Sequence, residues 1–374
     1  MVKMKKYFLF VLPFILSGCS SLEGFKAIEE NVEYSFSFSD YDVINTHTPL
    51  QSSYLADTYD SIGKYAEGTS ELSRPQTFTL SWSFDISTGQ EVDYYSLSYT
   101  TDPSLNGFVT HHLENPSYTF TNLFIGAEYF YFVTANIGDV AYSSGIKSFE
   151  TVDKGPRNVY VSGVTNARDL GGYTTSSGKR VKQGLVYRMG QLNERYVLNI
   201  TPLISLNGRK TLLDDFKVKS EIDLREIYNN ESGALYDSVL GKEVNYFPYH
   251  MGWDVVNIPK NETEMMRNVF KVFTDIENYP IVFHCAIGTD RTGVVAFYLS
   301  ALLGLEPEDM YRDYLFSNFG NIGGSRGLDN INSHFNYINT FAGATLQEKA
   351  FSYFNILGFS NNELDTICEI MLEN

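Results

Sequence analysis

A cysteine and an arginine, Cys285 and Arg291, are separated by five residues and could act on the same group. The apolar residues 281–283 predict a short strand before this pair, and the apolar residues 294–299 predict the start of a buried helix after it. A loop between a strand and a helix N-terminus can present several backbone N–H groups to one phosphate-sized anion. A cysteine at the base of such a loop is held as a nucleophilic thiolate, and an arginine can bind two oxygens of the anion. The spacing therefore predicts a site that binds an oxyanion and attacks it.

The whole string from His284 to Gly293, His-Cys-Ala-Ile-Gly-Thr-Asp-Arg-Thr-Gly, resembles the Cys-dependent protein tyrosine phosphatases. It is most similar to the bacterial branch in which Asp stands immediately before the Arg. Four further segments resemble motifs of that branch in the same order along the chain: 166–173, 185–192, 221–225 and 313–318. The resemblance covers residues 153–374. It implies an α/β fold there, with a central, mostly parallel sheet flanked by helices and the loop at the C-terminal end of a strand.

The resemblance also implies a reaction in which Cys285 attacks phosphorus and forms a phosphocysteine that water then hydrolyses. Arg291 and the loop amides would stabilise the charge on the phosphate oxygens. Contacts with the substrate phosphate are expected from Ala286, Ile287, Gly288, Thr289 and Thr292. We also expect Thr292 to hydrogen-bond the Cys285 sulfur, and His284 to orient the loop through a backbone hydrogen bond. This mechanism requires neither a metal nor a cofactor.

Three aspartates are candidates for the general acid that protonates the leaving oxygen, and Asp290 is favoured over Asp254 and Asp223. Asp290 precedes Arg291, and by resemblance this loop Asp is the acid in related bacterial enzymes. Asp254 lies 31 residues before Cys285, where other tyrosine and dual-specificity phosphatases carry a mobile acid loop, although the Pro of that loop is missing here. Asp223, at the end of a predicted strand, is the third candidate. Geometry decides between such candidates before pKa does.

The predicted substrates are phosphomonoesters, with phosphotyrosine in proteins first and phosphoserine or phosphothreonine also considered. An alternative is a phosphoinositide or inositol phosphate, and a further one is a catalytically dead, phosphate-binding adhesion module. Related enzymes that accept phosphoinositides often carry Lys where this loop has Thr289, which weakens the phosphoinositide alternative. Lys260, Arg267 and Lys271 could supply positive charge instead, or they could form one solvated helix face.

Composition narrows the possible functions. The 374 residues contain 28 Lys and Arg against 45 Asp and Glu, so the formal charge is −17. This balance argues against nucleic acid as a partner, since binding it needs a basic surface. Three cysteines, one of them Cys19, are too few for a disulfide scaffold. Cys368 falls in an apolar helical stripe and is predicted to lie in the core, with disulfide protection of Cys285 as the minor alternative.

The N-terminus predicts export and a lipid anchor. Three lysines precede the apolar run 7–15, which is too short to span a bilayer and ends in Leu-Ser-Gly-Cys. That ending resembles the bacterial lipobox. It implies that residues 1–18 are a removed signal peptide and that Cys19 is lipidated, with 19–31 as a polar tether. The mature protein would then be a membrane-anchored lipoprotein facing outside the cytoplasm.

Residues 32–152 are predicted to form an all-β sandwich, because short aromatic and β-branched runs alternate with turn residues. The order of features resembles a fibronectin type III domain, with Trp82 as its strand tryptophan and Tyr129 in its tyrosine corner. Residues 41–75 fit that pattern poorly and are interpreted as an insertion or an extra edge. We expect a binding or spacer role for this domain, with a protein or a glycan as ligand.

Overall fold

The computed structural model describes residues 32–193, 204–225 and 238–373, and these form two compact units. One unit contains 32–39, Ser81–Tyr118 and Phe130–Lys147. The other contains Asp40–Leu80, Thr119–Tyr129 and the described residues from Ser148 onward. The units therefore interleave along the chain, whereas the predicted domain boundary lies between residues 152 and 153. The predicted signal peptide, Cys19 and the tether all lie outside the described residues.

The N-terminal region contains eight described strands: β1 (Tyr34–Phe38), β2 (Phe78–Ile86), β3 (Tyr94–Thr100), β4 (Val109–Leu113), β5 (Ser117–Phe120), β6 (Glu128–Ile137), β7 (Val140–Ser143) and β8 (Lys147–Glu150). One sheet has the order β1–β2–β5, and a second has the order β4–β3–β6–β7, with antiparallel pairing between β1 and β2 and throughout the second. Burial alternates along β6, as period-two patterning predicts. The strands are thus confirmed, while their packing as a sandwich stays a prediction.

The predicted tyrosine corner has its expected hydrogen bond. The hydroxyl of Tyr129 accepts the backbone N–H of Phe124 at 2.7 Å, and both residues belong to the second unit. Assignment of the domain to the fibronectin type III class stays a prediction.

The second unit is built on a six-stranded sheet: β9 (Arg157–Asn158), β10 (Arg168–Asp169), β11 (Val186–Met189), β12 (Ser220–Asp223), β13 (Asn245–Pro248) and β14 (Ile281–His284). Its order is β13–β12–β14–β11–β10–β9. The four strands from β13 to β11 are parallel, but β10 and β9 are antiparallel, so the sheet is mixed. Residues 159–167 connect β9 to β10, and so short a connection cannot hold the crossover that a parallel pair requires.

Nine described α-helices accompany the strands: α1 (Pro49–Ala56), α2 (Leu206–Lys210), α3 (Ile258–Asn261), α4 (Thr263–Val272), α5 (Asp290–Leu303), α6 (Pro307–Phe316), α7 (Asp329–Ile338), α8 (Leu346–Ile356) and α9 (Asn361–Met371). Alternate residues of β14 enter different apolar cores. Ile281 and Phe283 join the larger core with α4 to α9, whereas Val282 joins a smaller core with Leu212. Both faces of the sheet are therefore covered, as a largely parallel arrangement requires. Within the part of the chain that the structure describes, no helix could cross a membrane.

Cys368 packs where its helical stripe predicts. It is partly buried on α9, beside the buried Leu364 and Ile367. Burial raises the pKa of its thiol to about 11, and both Cys285 and Cys368 are free. The structure therefore contains the core cysteine but not the alternative disulfide.

Candidate active site

The predicted strand, loop and helix are present around Cys285. Strand β14 is fully buried and ends at His284, the loop occupies 285–289, and α5 begins at Asp290. Cys285 is 1% exposed and Arg291 is 2% exposed, so both lie inside the protein at the strand end and the helix start. Gly288 has φ +71°, and a Cβ there would lie 2.4 Å from the Met189 carbonyl carbon. Only glycine fits this turn without moving the neighbouring strand end.

Four consecutive carbonyls of the loop accept hydrogen bonds from outside it, those of Ala286, Ile287, Gly288 and Thr289. Their donors are the Gln191 amide, the Asn166 side chain and the Arg188 guanidinium, at 3.0–3.4 Å. A trans peptide group points its N–H opposite to its C=O. Because these carbonyls point outward, the amides that follow them point toward the interior of the loop. The loop can therefore surround an anion with N–H donors.

Two buried arginines and one aspartate hold the elements that support this loop. Asp313 on α6 accepts the Arg168 Nε at 2.7 Å on one oxygen and bonds Arg188 through the other. Arg168 also donates to Asn166 Oδ1 at 2.6 Å, and Asn166 in turn donates to the loop. All of these residues fall within the segments that carried the family resemblance. Together these side chains hold the loop carbonyls so that they point outward.

His284 is fixed on both ring nitrogens. Its Nε2 lies 2.9 Å from the Glu221 carboxylate, and its Nδ1 lies 3.3 Å from the Cys285 carbonyl oxygen. Glu221 also accepts the Ser238 hydroxyl. The predicted backbone hydrogen bond from His284 to the loop is thus confirmed. The contact between His284 and Glu221 also connects the base of the loop to β12.

Asp223 is not placed to act as the general acid. It is fully buried, and its carboxylate binds the Arg225 guanidinium at 2.6 and 2.8 Å and accepts the Tyr246 hydroxyl at 2.9 Å. Glu221, Asp223 and His284 have ligand atoms within 4.8 Å of one another, which is a spacing suited to a metal. The carboxylate oxygens of Glu221 and Asp223 already accept hydrogen bonds from protein donors, so the three side chains form an internal hydrogen-bond network.

The segment 251–254 lies against Arg291. The Trp253 ring faces the Arg291 guanidinium, with 4.3 Å between its centroid and Cζ, and Arg291 Nη1 lies 3.4 Å from the Met251 carbonyl oxygen. Trp253 remains 57% exposed, so the indole borders both the arginine and solvent. Asp254 is exposed and accepts the Asn257 side-chain amide at 2.9 Å. The segment that carries this candidate acid therefore reaches the site.

Asp290 is in an ion pair that its sequence context does not reveal. Arg326 donates from Nε to one carboxylate oxygen at 2.9 Å and from Nη2 to the other at 3.0 Å. Such a two-point bond fixes the orientation of the carboxylate. Arg326 lies beyond α6, outside every motif that the sequence analysis identified.

Thr292 does not make the predicted bond to the Cys285 sulfur. Its hydroxyl is buried and has no hydrogen-bond partner among the described residues.

The three basic residues before the loop do not form one cationic patch. Lys271 pairs with Glu363 and lies over the Phe359 ring, and Arg267 lies against Gly358. Lys260 is exposed on α3. The first two side chains therefore serve the contact between α4 and the C-terminal helices.

Comparison with known proteins shows the family of the second unit's sequence. A model of the tyrosine phosphatase family matches residues 159–373. A protein of Cupriavidus necator, whose name describes it as a candidate tyrosine-protein phosphatase, is 28% identical over 168 residues. That match covers 41% of this chain and 61% of the relative, so the chain spans less than two thirds of the relative's length.

Among solved structures, the core catalytic domain of the PP-IP phosphatase SIW14 from S. cerevisiae, in complex with citrate, matches at 17% identity. The match covers 39% of this chain and 87% of that one, with a TM-score of 0.27. The family model spans more than half of the chain. The chain therefore belongs to the tyrosine phosphatase family.

Proposed function

We propose that this protein hydrolyses phosphomonoesters through a cysteinyl-phosphate intermediate. The thiolate of Cys285 forms an S–P bond while the P–O ester bond breaks, and the leaving oxygen takes a proton from a general acid. Water then attacks phosphorus and gives a proton to the deprotonated general acid, the S–P bond breaks, phosphate is released, and the thiolate is regenerated. The main support for this proposal is the outward orientation of the loop carbonyls. Because of it, the loop N–H groups point inward and can bind the phosphate oxygens beside Arg291.

Phosphotyrosine in proteins is the substrate that we favour, with phosphoserine and phosphothreonine as further candidates. Thr289 is buried and its hydroxyl accepts a hydrogen bond from Asn166, so it adds no charge for a polyanionic ligand. Lys271 is paired with Glu363, and Arg267 packs against Gly358. These contacts argue against the phosphoinositide alternative. A dead adhesion module is disfavoured because Cys285 and Arg291 are both in place.

The test is phosphate release by the purified chain from three substrates: a phosphotyrosine peptide, a phosphothreonine peptide and a phosphoinositide. Release that is fastest from the phosphotyrosine peptide supports the proposal. Faster release from the phosphoinositide would support the alternative instead. If none of the three substrates releases phosphate in a reaction that depends on Cys285, the assignment of the protein as an enzyme is overturned.

We propose Asp254 as the general acid. Its carboxyl is exposed beside Trp253, which contacts Arg291, whereas the Asp290 carboxylate is occupied by Arg326. The exposed Asp254 carboxyl can therefore approach a leaving oxygen, whereas the Asp290 carboxylate is held by Arg326.

Asp254→Asn is expected to lower kcat for an alkyl phosphate by about 100-fold. The loss should be much smaller for an aryl phosphate whose phenolate leaves without a proton. Rates for alkyl and aryl substrates, measured beside Asp290→Asn, separate the candidates. If the leaving-group dependence appears in Asp290→Asn and not in Asp254→Asn, then Asp290 is the acid.

We further propose that the mature protein is exported and anchored by a lipid on Cys19, and that its N-terminal β domain binds a protein or a glycan. The Leu-Ser-Gly-Cys motif after a short apolar run supports the anchor. Cys19→Ala is expected to move the protein from the membrane fraction of the bacterial cell to the soluble or unprocessed pool. Equal membrane retention of both forms on fractionation would contradict the lipid anchor.

A further inference from the structure

The partner of Asp290, Arg326, is itself held in a fixed position. Its backbone N–H donates to Asn318 Oδ1 at 2.7 Å, and Asn318 Nδ2 donates to the Arg326 carbonyl at 3.0 Å. The same Asn318 amide donates to the Leu315 carbonyl at the end of α6. Asn318 is 1% exposed, so this bonding is internal. The segment that follows α6 therefore presents the Arg326 guanidinium to Asp290 in one orientation.

Residues 67–72, called the brace segment below, hold that same region from the N-terminal side. The Gly68 N–H donates to the Asn318 carbonyl at 2.8 Å. The Gly68 carbonyl lies 2.9–3.2 Å from three successive amide nitrogens, 322–324. Leu72 N–H adds a bond of 2.6 Å to the Phe319 carbonyl. The segment around Arg326 is thus tied by backbone bonds to residues that precede the family region by almost a hundred positions.

The brace segment is also tied to the support of the catalytic loop. Glu71 bonds the Thr165 hydroxyl and lies 3.4 Å from the Asn321 amide nitrogen. The Thr165 carbonyl accepts the Gly190 N–H at 2.9 Å, directly before the Gln191 amide that bonds the loop. Two routes, through Arg326 and through Thr165, therefore connect residues 67–72 with the loop. All of them lie in the same compact unit.

We propose that Arg326 and the brace segment are positioning elements for the catalytic loop. Arg326 acts through Asp290, and the brace segment acts through both Arg326 and Thr165. Asp290 is the first residue of α5 and the neighbour of Arg291, so fixing its carboxylate fixes the helix start that binds phosphate. Misplacement of a binding group by an ångström can lower the rate by two orders of magnitude. This inference rests on the proposed phosphatase function. It makes activity depend on residues outside 159–373, where the family model matches.

The first test removes the cation. Arg326→Gln in the full chain is expected to lower kcat about 10-fold and to raise KM for a small aryl phosphate, because the misplaced loop also binds the phosphate group. Arg326→Lys, which keeps the charge and one donor, should recover part of the loss. In an Asp290→Asn background, Arg326→Gln should add almost nothing, because the interaction it removes is already absent. A general structural defect would instead add its full effect in that background.

The second test disturbs the brace segment itself. Gly68 has φ +71°, and a Cβ there would lie 2.5 Å from the Gly324 carbonyl oxygen and 2.7 Å from Ile322 Cγ1. Gly68→Ala is therefore expected to displace the 322–324 segment and to lower kcat as Arg326→Gln does. The matched control is Gly63→Ala, since Gly63 is exposed and its added Cβ would meet no atom within 4 Å. That control should keep the parental kcat.

Binding of inorganic phosphate, measured by calorimetry, distinguishes failure of the positioning role from failure of the proposed phosphatase function. We expect Arg326→Gln and Gly68→Ala to bind phosphate more weakly than the parent chain, and Gly63→Ala to bind it equally well. Parental phosphate affinity and parental kcat in both test variants would overturn the positioning role alone. If the parent chain shows no turnover that depends on Cys285, but both test variants bind phosphate more weakly than it does, the positioning role is retained. The proposed phosphatase function is then rejected.

Discussion

Cys285→Ser is expected to abolish phosphate release, with a loss in kcat of at least about 10⁴-fold. A serine hydroxyl is not ionised near neutral pH and has no base in the mechanism proposed for this site, so the S–P bond has no equivalent. The side chain is 1% exposed at the end of β14, and serine is smaller than cysteine, so the loop should keep its shape. Initial rates with an aryl phosphate measure the effect.

Cys368→Ser is the matched control for that variant. Cys368 is the other cysteine in the described residues, and its sulfur contacts the Leu302 carbonyl at 3.6 Å on the opposite end of α5 from the loop. Because burial raises the pKa of this thiol to about 11, it stays protonated and unreactive at neutral pH. The control should retain parental turnover. Turnover that persists in Cys285→Ser, or that disappears only in Cys368→Ser, would contradict the assignment of the nucleophile.

The elements around the nucleophile were predictable because their signals are local. The strand β14, the loop and α5 follow one another in the chain, and each has a distinct apolar pattern. Asn166, Arg188 and Asp313 were found as parts of ordered motifs. Their contacts could not be derived from the sequence, because each contact joins residues at least 100 positions apart. The structure supplies the reason for the motifs, which is the outward orientation of the loop carbonyls.

The features of the fold and site that the sequence did not predict depend on backbone hydrogen bonds or on single residues far away in the chain. The brace segment lies within residues 41–75, which fit the strand pattern poorly and are interpreted as an insertion or an extra edge. Gly68 nevertheless contacts residues 318 and 322–324 through main-chain hydrogen bonds, which composition does not encode. Arg326 carries no spacing signal relative to Asp290. Strands β9 and β10 have two residues each, too few for an alternating pattern to indicate a strand or its direction.

Asp313→Asn is expected to lower the free energy of unfolding by about 3–5 kcal/mol. Asp313 is the shared anion of Arg168 and Arg188, whose side chains are each 1% exposed. An uncharged amide leaves these two buried guanidinium groups without a counter-ion, and removing one partner of a buried ion pair costs more than the pair itself contributes. Denaturant unfolding of the full chain, monitored by a probe in the second unit, measures the change.

The matched control lies one turn earlier on the same helix. Burial raises the pKa of Asp309, so its charged form is already disfavoured, and Asp309→Asn should change stability by no more than about 0.5 kcal/mol. A loss in Asp309→Asn as large as that in Asp313→Asn would mean that any amide on α6 is destabilising and that the arginine pair is not the cause.

The pH dependence of unfolding gives an independent check on Asp313. Burial acts to raise the pKa of this carboxyl, but Arg168 and Arg188 outweigh burial and hold the pKa below its ordinary value. The unfolded state therefore binds more protons, and stability from Asp313 is complete above the unfolded pKa of about 4 and is lost as pH falls through the folded pKa. The difference between parent and Asp313→Asn should consequently be largest near neutral pH and shrink in acid. A difference that is constant from pH 7 to pH 3 would mean that Asp313 supports the loop by hydrogen bonding alone, without its charge.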